Sequence, residues 1–483
     1  MVRALRSNWV AIACLAFIAL NGLLVAREFY WLNLLPVALL LAWTALFRPD
    51  RLLLVIAFAT PLSINLEELE LGGIGISLPT EPLMLGLLML FLVKLGLERN
   101  VLDVRVWRHP VTIAIGLQLL WMSVCIIPSS MPVVSLKYLL ARLWFVGTMY
   151  FLCTRLFERD ADILRFFWCF AAGLAIVIVR TLIRHAGHHF EHDPAHWVME
   201  PFFKDHTSYG AIIAFLFPFA VTALFLPQRY KGQWMFALGF LVVLTLGMIF
   251  SYTRAAWVGV AGAAALFMVM RLRIKAWVIG TVTVVVGGLV LLNLDRILIE
   301  LERNRDESST DLAEHVSSIG NISSDASNLE RINRWNSALR MFEERPVMGW
   351  GPGTYMFQYA PFQAAADRTI ISTNFGTNGN AHSEFLGPLA EQGVPGMLLV
   401  AWLIATVCWT AIRLWSRLPA GLHRQLVGAA FFGLVTYFIH GVLNNFLDLD
   451  KASVPFWGFT AMIVVLDLRY PAKEQAVGAV PQR

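Results

Sequence analysis

A histidine lies in a short polar segment directly before an apolar stretch of the chain. The segment contains Asn380, His382 and Ser383, and a helix that begins near Ser383 is expected to end at Gly393 and Pro395. His382 would stand at the N-terminal end of this helix, where the helix dipole and free backbone amides favour a neutral imidazole. A general base requires that neutral form. The alternative is a histidine that only forms hydrogen bonds within its loop.

An arginine follows Ser251, Tyr252 and Thr253 at the outer start of a predicted membrane helix. A guanidinium group at membrane depth usually lines an interior pathway or a site, and its planar donors suit a bidentate phosphate contact. Arg254 is therefore a candidate for phosphate binding. The alternative is an interfacial arginine whose stem lies along apolar surface while its charge reaches the headgroups.

Further cationic side chains are expected near the same outer face, at helix ends and on a helix of the long outside loop. Most of the loop arginines are expected to form a solvated face, with Arg331 and Arg334 nearest the bundle. The additional phosphate-binding candidates are Lys204, Arg184, Arg331 and Arg334.

Five histidines lie close together in a short outside loop. Spacings of three and four residues would align several imidazoles if this loop were helical, and such a group could hold a metal. Pro194 interrupts the pattern, so an exposed loop without a specific metal site is the favoured interpretation. The histidines are His185, His188, His189, His192 and His196.

The composition identifies the elements that must position these side chains. The chain has 483 residues, of which 58% are hydrophobic and 15% are charged, against roughly 25% charged in ordinary soluble domains. Apolar windows of about 20 residues recur along nearly the whole sequence. The sequence therefore predicts an all-α polytopic membrane protein. It argues against an outer-membrane barrel, a disulfide-stapled secreted module, a disordered chain and a nucleic-acid-binding domain.

About 12 to 14 transmembrane helices are expected. The lower number applies if the short third span, or the sixth span with Lys137 and Arg142, is only partly inserted. The first span is interpreted as a retained helix rather than a signal peptide, because another follows within a few residues. The predicted spans are residues 9–26, 31–47, 51–64, 80–97, 110–127, 134–154, 163–183, 207–226, 233–250, 254–270, 275–294, 394–412, 425–444 and 452–468.

Lysine and arginine are concentrated in alternate connections, and this asymmetry predicts the orientation. The basic side is assigned to the cytoplasm together with both termini, so the long loop, about residues 295–383, lies outside. In a bacterium that is the periplasmic side of the inner membrane. The predicted organisation is an N-terminal bundle of about 11 helices over residues 1–294, a periplasmic loop region over 295–393, three helices over 394–470 and a cytoplasmic tail over 471–483.

The second part of the long loop has the pattern of an amphipathic helix. Ser327 and Glu330 have capping-box spacing, and Pro346 would stop the helix. We expect this helix to lie on the outer face of the bundle. The apolar residues that recur on one of its faces are Leu329, Ile332, Trp335, Leu339 and Phe342.

Together these segments resemble the O-antigen ligase and polymerase superfamily of bacterial polysaccharide assembly. The resemblance covers roughly residues 200–400, and the combination of motifs is more specific than any one of them. It rests on Asn380-Ala-His382-Ser383-Glu384-Phe-Leu386 with Glu391, Gly393 and Gly396, on Arg331 to Trp335 followed by Pro346-Val-Met-Gly349-Trp-Gly351-Pro-Gly353, and on Ser251-Tyr-Thr-Arg254.

The resemblance implies a glycosyltransferase that takes a glycan from undecaprenyl pyrophosphate at the periplasmic face, without a nucleotide sugar, a metal or another cofactor. It implies His382 as the base that activates the acceptor and Arg254 as a pyrophosphate ligand. Asn380, Ser383 and Glu391 would have supporting positions. A single displacement of this kind inverts the anomeric carbon.

The chain departs from the family pattern in one position. Family members usually have an arginine just before the helix that begins here near Thr207, whereas this chain has Lys204 there. Lysine supplies a charge without the guanidinium fork, so the second phosphate ligand is left open. Family members also commonly have fewer spans than the upper limit predicted here.

Several functions remain open at this point. A ligase would use lipid A core oligosaccharide as acceptor, a polymerase would use a growing glycan, and a close variant would use a protein hydroxyl. The non-enzymatic alternative is a proton-coupled transporter with His382 in a relay. Intramembrane carboxylates, expected in many such pathways, are sparse, which favours glycosyl transfer, with ligation as the leading interpretation.

Overall fold

The computed structural model describes residues 2–66, 75–98, 101–227, 232–275, 326–365, 367–368, 372 and 379–471. Within these ranges the chain is almost entirely helical, with one short antiparallel pair of strands, β1 (Ile64–Asn65) and β2 (Ser77–Leu78). The predicted span at 275–294, apart from its first residue, and the first part of the long loop lie outside the described residues.

Seventeen α-helices are distinguished in the described ranges. They are α1 (Val2–Val25), α2 (Leu34–Phe47), α3 (Pro49–Ala59), α4 (Thr80–Leu97), α5 (Val104–Trp107), α6 (Pro110–Cys125), α7 (Pro132–Phe145), α8 (Cys153–Leu156), α9 (Asp160–Ala186), α10 (His206–Ala223), α11 (Gln233–Ile249), α12 (Arg254–Leu272), α13 (Ala326–Glu344), α14 (Tyr355–Gln358), α15 (Leu386–Arg417), α16 (Leu422–Leu443) and α17 (Asp450–Arg469).

The all-α polytopic membrane architecture predicted from the sequence is confirmed. Eight of the described helices are long and apolar enough to cross a membrane, and four further apolar helices are somewhat shorter. A π-helical segment, Val146–Leu152, joins α7 to α8, and the three elements together form one candidate span. The predicted third span, residues 51–64, is instead the 11-residue helix α3 followed by a turn and β1, too short for a full crossing.

The chain divides into two compact units, residues 1–55 and residues 56–483. The first unit contains α1, α2 and the start of α3, and within it the side chain of Asn21 donates a hydrogen bond to that of Asn33 at 2.7 Å. The second unit contains all of the candidate site residues.

Helix α17 lies at the centre of the second unit, and 94% of an apolar stretch of 18 of its residues is buried. Aromatic rings fill the space beside it. The rings of Phe167 and Phe219 stack with centroids 4.2 Å apart, and Phe459 of α17 lies 4.7 Å from Phe167. Such a core stabilises the bundle by close packing.

Helix α16 packs so closely on α10 and α12 that glycine is required at the contacts. A Cβ atom at Gly433 would lie 2.7 Å from the carbonyl oxygen of Phe215, and one at Gly259 would lie 2.9 Å from the carbonyl oxygen of Thr436. Small residues allow helix backbones to approach in this way within a membrane. The N-terminal ends of α10 and α12 and the C-terminal end of α16 therefore lie at one end of the bundle.

A buried polar network fixes the start of α17 at that same end. Oδ2 of Asp450 accepts hydrogen bonds from the hydroxyls of Ser63 and Thr80 at 2.6 and 2.5 Å. The ammonium of Lys451 donates to Oγ of Ser63 at 2.8 Å. Because buried charges are stable only when they are paired and hydrogen-bonded, this network ties the residue just before β1 and the start of α4 to α17.

Candidate active site

His382 lies in an irregular segment, residues 379–385, here called the His382 loop. Its backbone is in the left-handed region with φ 47°, which is uncommon for a residue other than glycine. Its backbone N–H donates to Oδ1 of Asn380 at 3.1 Å, and the indole N–H of Trp335 donates to its carbonyl oxygen at 3.3 Å. Side chains from the loop and from α13 therefore fix the backbone at His382.

The helix after His382 starts later than the sequence predicted. Helix α15 begins at Leu386 rather than near Ser383, and the predicted break is present at Gly393, where φ is 68° and ψ is −168°. Oγ of Ser383 accepts hydrogen bonds from the backbone N–H groups of Phe385 and Leu386 at 3.2 and 3.4 Å. A serine side chain commonly satisfies the free amides before a helix in this way. His382 therefore stands ahead of the helix rather than in its first turn.

The imidazole of His382 is neutral and its tautomer can be assigned. Its Nδ1 lies 3.4 Å from Oδ1 of Asn444, a buried residue that follows α16. Since an amide oxygen only accepts, we assign the ring proton to Nδ1 and the free lone pair to Nε2. Burial lowers the pKa of His382 to about 3, and the charges of Arg334 and Arg331 act in the same direction. Burial and neighbouring cations, rather than a helix dipole, thus account for the neutral ring.

Helix α13 turns a polar face inward, contrary to the prediction from its apolar pattern. Leu339, which the sequence placed on the contact face, is 41% exposed. The buried polar groups of α13 pair with the loops beside it, and this pairing replaces packing of the expected apolar stripe. Its buried residues are Glu330, Asn333, Arg334, Ser337, Ala338 and Met341.

Arg334 is the centre of this buried polar contact. Its Nε donates to Oε1 of Glu330 at 2.7 Å, and its Nη1 donates to the carbonyl oxygen of Asn380 at 3.2 Å. Its guanidinium lies over the ring of Tyr359, 5.0 Å from the centroid. A Cβ at Gly379 would lie 1.4 Å from Nη1 of Arg334. Arg334 therefore lies against the bundle, as was expected of it among the loop arginines, and it fastens the His382 loop to α13.

Two other guanidinium groups lie near His206, and one of them, that of Arg331, also lies near His382. The charges of Arg331 and Arg254 both act on the imidazole of His206 at the start of α10, and Arg331 also acts on His382. Arg254 is the first residue of α12, and its side chain is partly buried. Positive charges that are close together in a partly buried region attract an anionic group strongly.

His440 belongs to this neighbourhood, although sequence reasoning missed it. It is 2% exposed in the last turn of α16, and neither ring nitrogen has a hydrogen-bond partner in the described part of the chain. The charge of Arg331 acts on it as well. Its neighbour Asn444 was also missed. The only sequence signal was a polar cluster, His440 with Asn444 and Asn445, at the end of an apolar span.

Two of the predicted cationic candidates lie elsewhere. Nη1 of Arg184 donates to the carbonyl oxygen of Glu200 at 3.0 Å, and its guanidinium lies 5.0 Å from the ring centroid of Trp197. Lys204 is exposed just before Asp205, whose carboxylate accepts from the backbone N–H of Ser208 and caps α10. Arg184 holds the loop between α9 and α10.

His185, which the sequence placed in the histidine-rich loop, lies instead in the last turn of α9. The rest of the loop is irregular, with one short 3₁₀ turn, Asp193–His196. The ring of His196 lies 5.0 Å from that of His192 and 4.3 Å from that of His206, measured between centroids. Nε2 of His185 contacts the carbonyl oxygen of Glu191 at 2.7 Å. Within the described ranges, no three histidine, cysteine or acidic side chains are grouped as metal ligands.

Glu391 lies on the short helical piece before Gly393. It accepts hydrogen bonds from a glycine-rich turn, residues 349–355. Its carboxylate accepts the backbone N–H of Tyr355 at 2.9 Å, and its carbonyl oxygen accepts that of Gly351 at 2.8 Å. A Cβ at Gly349 would lie 2.2 Å from the carbonyl carbon of Glu391, and φ there is 65°. Only glycine fits such a close approach, and the two hydrogen bonds to Glu391 hold this turn against α15.

Glu384 fastens the His382 loop to the connection between α16 and α17, residues 444–449. Its Oε1 accepts the hydroxyl of Tyr437 at 2.5 Å and the backbone N–H groups of Phe446 and Leu447 at 2.9 and 3.0 Å. Burial raises the pKa of Glu384, and Asp448 acts in the same direction. The contact positions Asn444 beside His382.

The site therefore joins a neutral histidine with an available Nε2 to at least two neighbouring guanidinium groups. Residues 239–401 match the family model described as O-antigen ligase, which confirms the resemblance over this part of the chain. The matched range contains Arg254, Arg331, Arg334, His382 and Glu391. No curated protein matches the chain. The family match supports, broadly, a glycosyltransferase of the O-antigen ligase or polymerase type.

Proposed function

We propose that the protein transfers a glycan from undecaprenyl pyrophosphate to an acceptor hydroxyl, with inversion at the anomeric carbon and without a metal. The observation that carries the proposal is the neutral His382, with Nδ1 directed to Asn444 and with Arg331 among the cations that act on it. Arg331 and Arg254 in turn both act on His206. A neutral imidazole can accept a proton next to a region suited to an anionic leaving group.

In this reaction Nε2 of His382 removes the proton of the acceptor hydroxyl. The acceptor oxygen forms a bond to the anomeric carbon, and the bond from that carbon to the pyrophosphate oxygen breaks on the opposite face. Arg254 and Arg331 stabilise the charge that develops on the leaving pyrophosphate, and preorganised groups of this kind are worth several kcal/mol. The proton on His382 then passes to solvent.

Arg334 has a different role in this proposal. Its contacts with Glu330 and Asn380 make it a positioning residue that holds the His382 loop. Asn380 and Ser383 hold the loop from within, and Glu391 holds the neighbouring turn. Arg184 and Lys204 are kept as outer candidates for long-range attraction of the pyrophosphate rather than direct ligands.

We further propose that the protein lies in a bacterial inner membrane with both termini in the cytoplasm and His382 at the periplasmic face. The distribution of lysine and arginine supports this orientation. Ligation to lipid A core is the leading assignment. Polymerisation of O-antigen or exopolysaccharide repeat units, or transfer to a protein hydroxyl, uses the same donor and the same chemistry.

Glycan extraction from a deletion strain separates these assignments. Loss of polymer from lipid A core, with accumulation of lipid-linked polymer, identifies a ligase, whereas accumulation of single lipid-linked repeat units identifies a polymerase. Transfer by the purified protein from a lipid-linked donor tests the enzyme itself. A protein that moves protons but transfers no glycan would instead support the transporter alternative.

A further inference from the structure

A groove of about 750 Å³ lies between the second half of α10, the second half of α12 and the first half of α16. Its volume is within the range of about 300–1,000 Å³ that is typical of small-molecule sites. The residues that line it on α12 come after Gly259, and those on α16 come before Gly433. The groove therefore begins where the close contacts between these helices end.

This groove lies at the end of the bundle opposite His382. Helix α12 begins at Arg254, and its last turn contains Arg271, which lines the groove. Arg424 lines the groove from the first turn of α16, whereas Asn444, the neighbour of His382, follows the end of that helix. A helix rises about 1.5 Å per residue, so the two arginines are displaced by roughly 25 to 30 Å along their helices. A ligand bound here would not reach the candidate active site.

The walls of the groove are largely apolar and open to the surface of the bundle. The rings of Phe267 and Phe432 meet edge to face with centroids 5.5 Å apart. Phe225 and Val221 also line the groove, and their side chains are 68% and 38% exposed. Because α10 and α12 are candidate membrane spans, such a surface faces hydrocarbon in a bilayer. The walls are therefore suited to an acyl chain.

Two neutral polar side chains on the wall are already hydrogen-bonded. The hydroxyl of Thr222 donates to the carbonyl oxygen of Pro218 at 2.7 Å, and Nε2 of Gln425 donates to the carbonyl oxygen of Phe225 at 3.0 Å. The second bond ties the start of α16 to the residues after α10. Neither side chain therefore provides the main contact for a polar headgroup.

The two arginines of the groove provide that contact. The guanidinium of Arg424 lies 3.8 Å from the ring centroid of Trp415, and this stacking leaves the N–H donors at its edge available. Arg271 is exposed. None of the described lining residues is acidic, and neither guanidinium forms an ion pair with a carboxylate in the part of the chain that the structure describes. The groove therefore attracts a negative charge at this end.

Apolar walls with two cations at one end match an amphiphile with acyl chains and an anionic headgroup. Basic pockets between membrane helices on the cytoplasmic side bind anionic lipid headgroups in this way, and the predicted orientation places Arg271 and Arg424 on that side. Free phosphate would leave the apolar walls without a partner. A zwitterionic headgroup would bring its own ammonium close to the arginines, which is unfavourable.

We propose that this groove binds an anionic phospholipid of the surrounding membrane. An acyl chain lies against Phe225 and Phe267, and the headgroup phosphate contacts Arg271 and Arg424. The lipid fills the space where α10, α12 and α16 separate and joins the three helices at that end. It is a bound component rather than a substrate, so the assignment does not depend on the proposed glycosyl transfer.

The test measures lipid binding directly. The full chain, purified in detergent and freed of bound lipid, is titrated with phosphatidylglycerol by native mass spectrometry. Phosphatidylcholine with the same acyl chains and inorganic phosphate are titrated in parallel. We expect saturable binding of phosphatidylglycerol, about 5-fold or more tighter than that of phosphatidylcholine, without displacement by inorganic phosphate.

Arg271→Gln and Arg424→Gln should each weaken binding of phosphatidylglycerol by about 5-fold, the size expected for one basic side chain near an anionic headgroup. Arg271 is exposed, so its variant keeps the test decisive if Arg424→Gln, which removes the stacking on Trp415, does not fold. Ala264→Phe adds a ring from an exposed position on the wall. It should weaken binding of both lipids by occupying the groove.

Arg155→Gln is the matched control, because Arg155 is exposed on the same predicted side, has the same charge and lies outside the groove. It should bind phosphatidylglycerol like the parent. Equal affinity of the parent for the two lipids, equal weakening by Arg155→Gln and Arg271→Gln, or unchanged binding in Ala264→Phe would overturn the proposal. Displacement by inorganic phosphate, or a dimer that excludes the lipid, would overturn it as well.

Discussion

Oδ1 of Asn444 lies 3.4 Å from Nδ1 of His382, although 62 residues separate the two in the chain. The contact joins the loop before α15 to the end of α16. It gives His382 the tautomer with a free Nε2, which is the nitrogen that can act as a base. The side chain of Asn444 thus determines which atom of His382 is available for proton transfer.

Replacing His382 by alanine should abolish most glycan transfer while the protein still folds. General acid and base catalysis contributes about 10²- to 10⁴-fold, and the loss should be of that size. The measurement is transfer by the purified variant from a lipid-linked donor, with size-exclusion elution as the check on folding. Activity within a few-fold of the parent would remove His382 from the mechanism.

Replacing Asn444 by aspartate should change the pH profile. The parent should show no loss from protonation of His382 between about pH 5 and 8, because the pKa of His382 is lowered to about 3. A carboxylate beside Nδ1 keeps the tautomer but favours the protonated ring. The transfer rate of Asn444→Asp should therefore fall as the pH is lowered through the pKa of His382, which the new carboxylate raises.

The profile of kcat/KM against pH gives this measurement. Asn444→Leu is the comparison, since it removes the contact without adding charge and should lower the rate at every pH. The proposed tautomer control is wrong if Asn444→Asp and the parent have superimposable profiles.

Replacing Arg254 by lysine should impair transfer by about 10- to 100-fold, because a charge-assisted hydrogen bond and the planar fork are lost. Arg254→Ala should be worse. Arg180→Lys is a suitable control, as Arg180 is exposed and donates to the carbonyl oxygen of Glu200, a bond that lysine can also make. Kinetics at varied donor concentration measure the effect. Full activity in Arg254→Lys would identify this residue as a membrane anchor.

The histidine-rich loop should tolerate simultaneous replacement of His188, His189, His192 and His196 by glutamine. His185 is kept because it is buried and holds the loop through the carbonyl oxygen of Glu191. Activity should also persist in EDTA, since in the proposed mechanism arginines, rather than a metal, neutralise the pyrophosphate. Inhibition by EDTA that is reversed by added zinc or magnesium would refute the metal-free mechanism.

Sequence reasoning identified the candidates whose signal is local. His382 stands in a polar motif between breaks, and Arg254 stands at the start of an apolar helix, so residue type and spacing were informative. The class of fold was equally accessible, because hydrophobic windows of membrane length are a property of short segments. The observed start of α15 and the observed length of the third span differ from the predictions. Both depend on neighbouring elements, through capping by Ser383 in the first case and the turn after α3 in the second.

The remaining errors concern contacts between distant segments. Arg334 was expected near the bundle as a phosphate ligand, whereas its donors contact Glu330 and the carbonyl oxygen of Asn380. Its burial depends on Asn380 and Tyr359, which no periodicity in α13 could reveal. Asn444 and His440 were missed for the same reason, since their relation to His382 and Arg331 exists only after α16 folds against the His382 loop.

The glycine contacts of α16 restrict how the protein can deform. Because even a Cβ atom would clash with backbone oxygen at Gly433 and Gly259, α16 has little room to slide or rotate against α10 or α12. These three helices therefore behave as one stiff wall. The lipid-linked donor of the proposed reaction would diffuse laterally in the bilayer and would have to reach His382 without separating these three helices. The route of the tail should accordingly follow helices outside this trio.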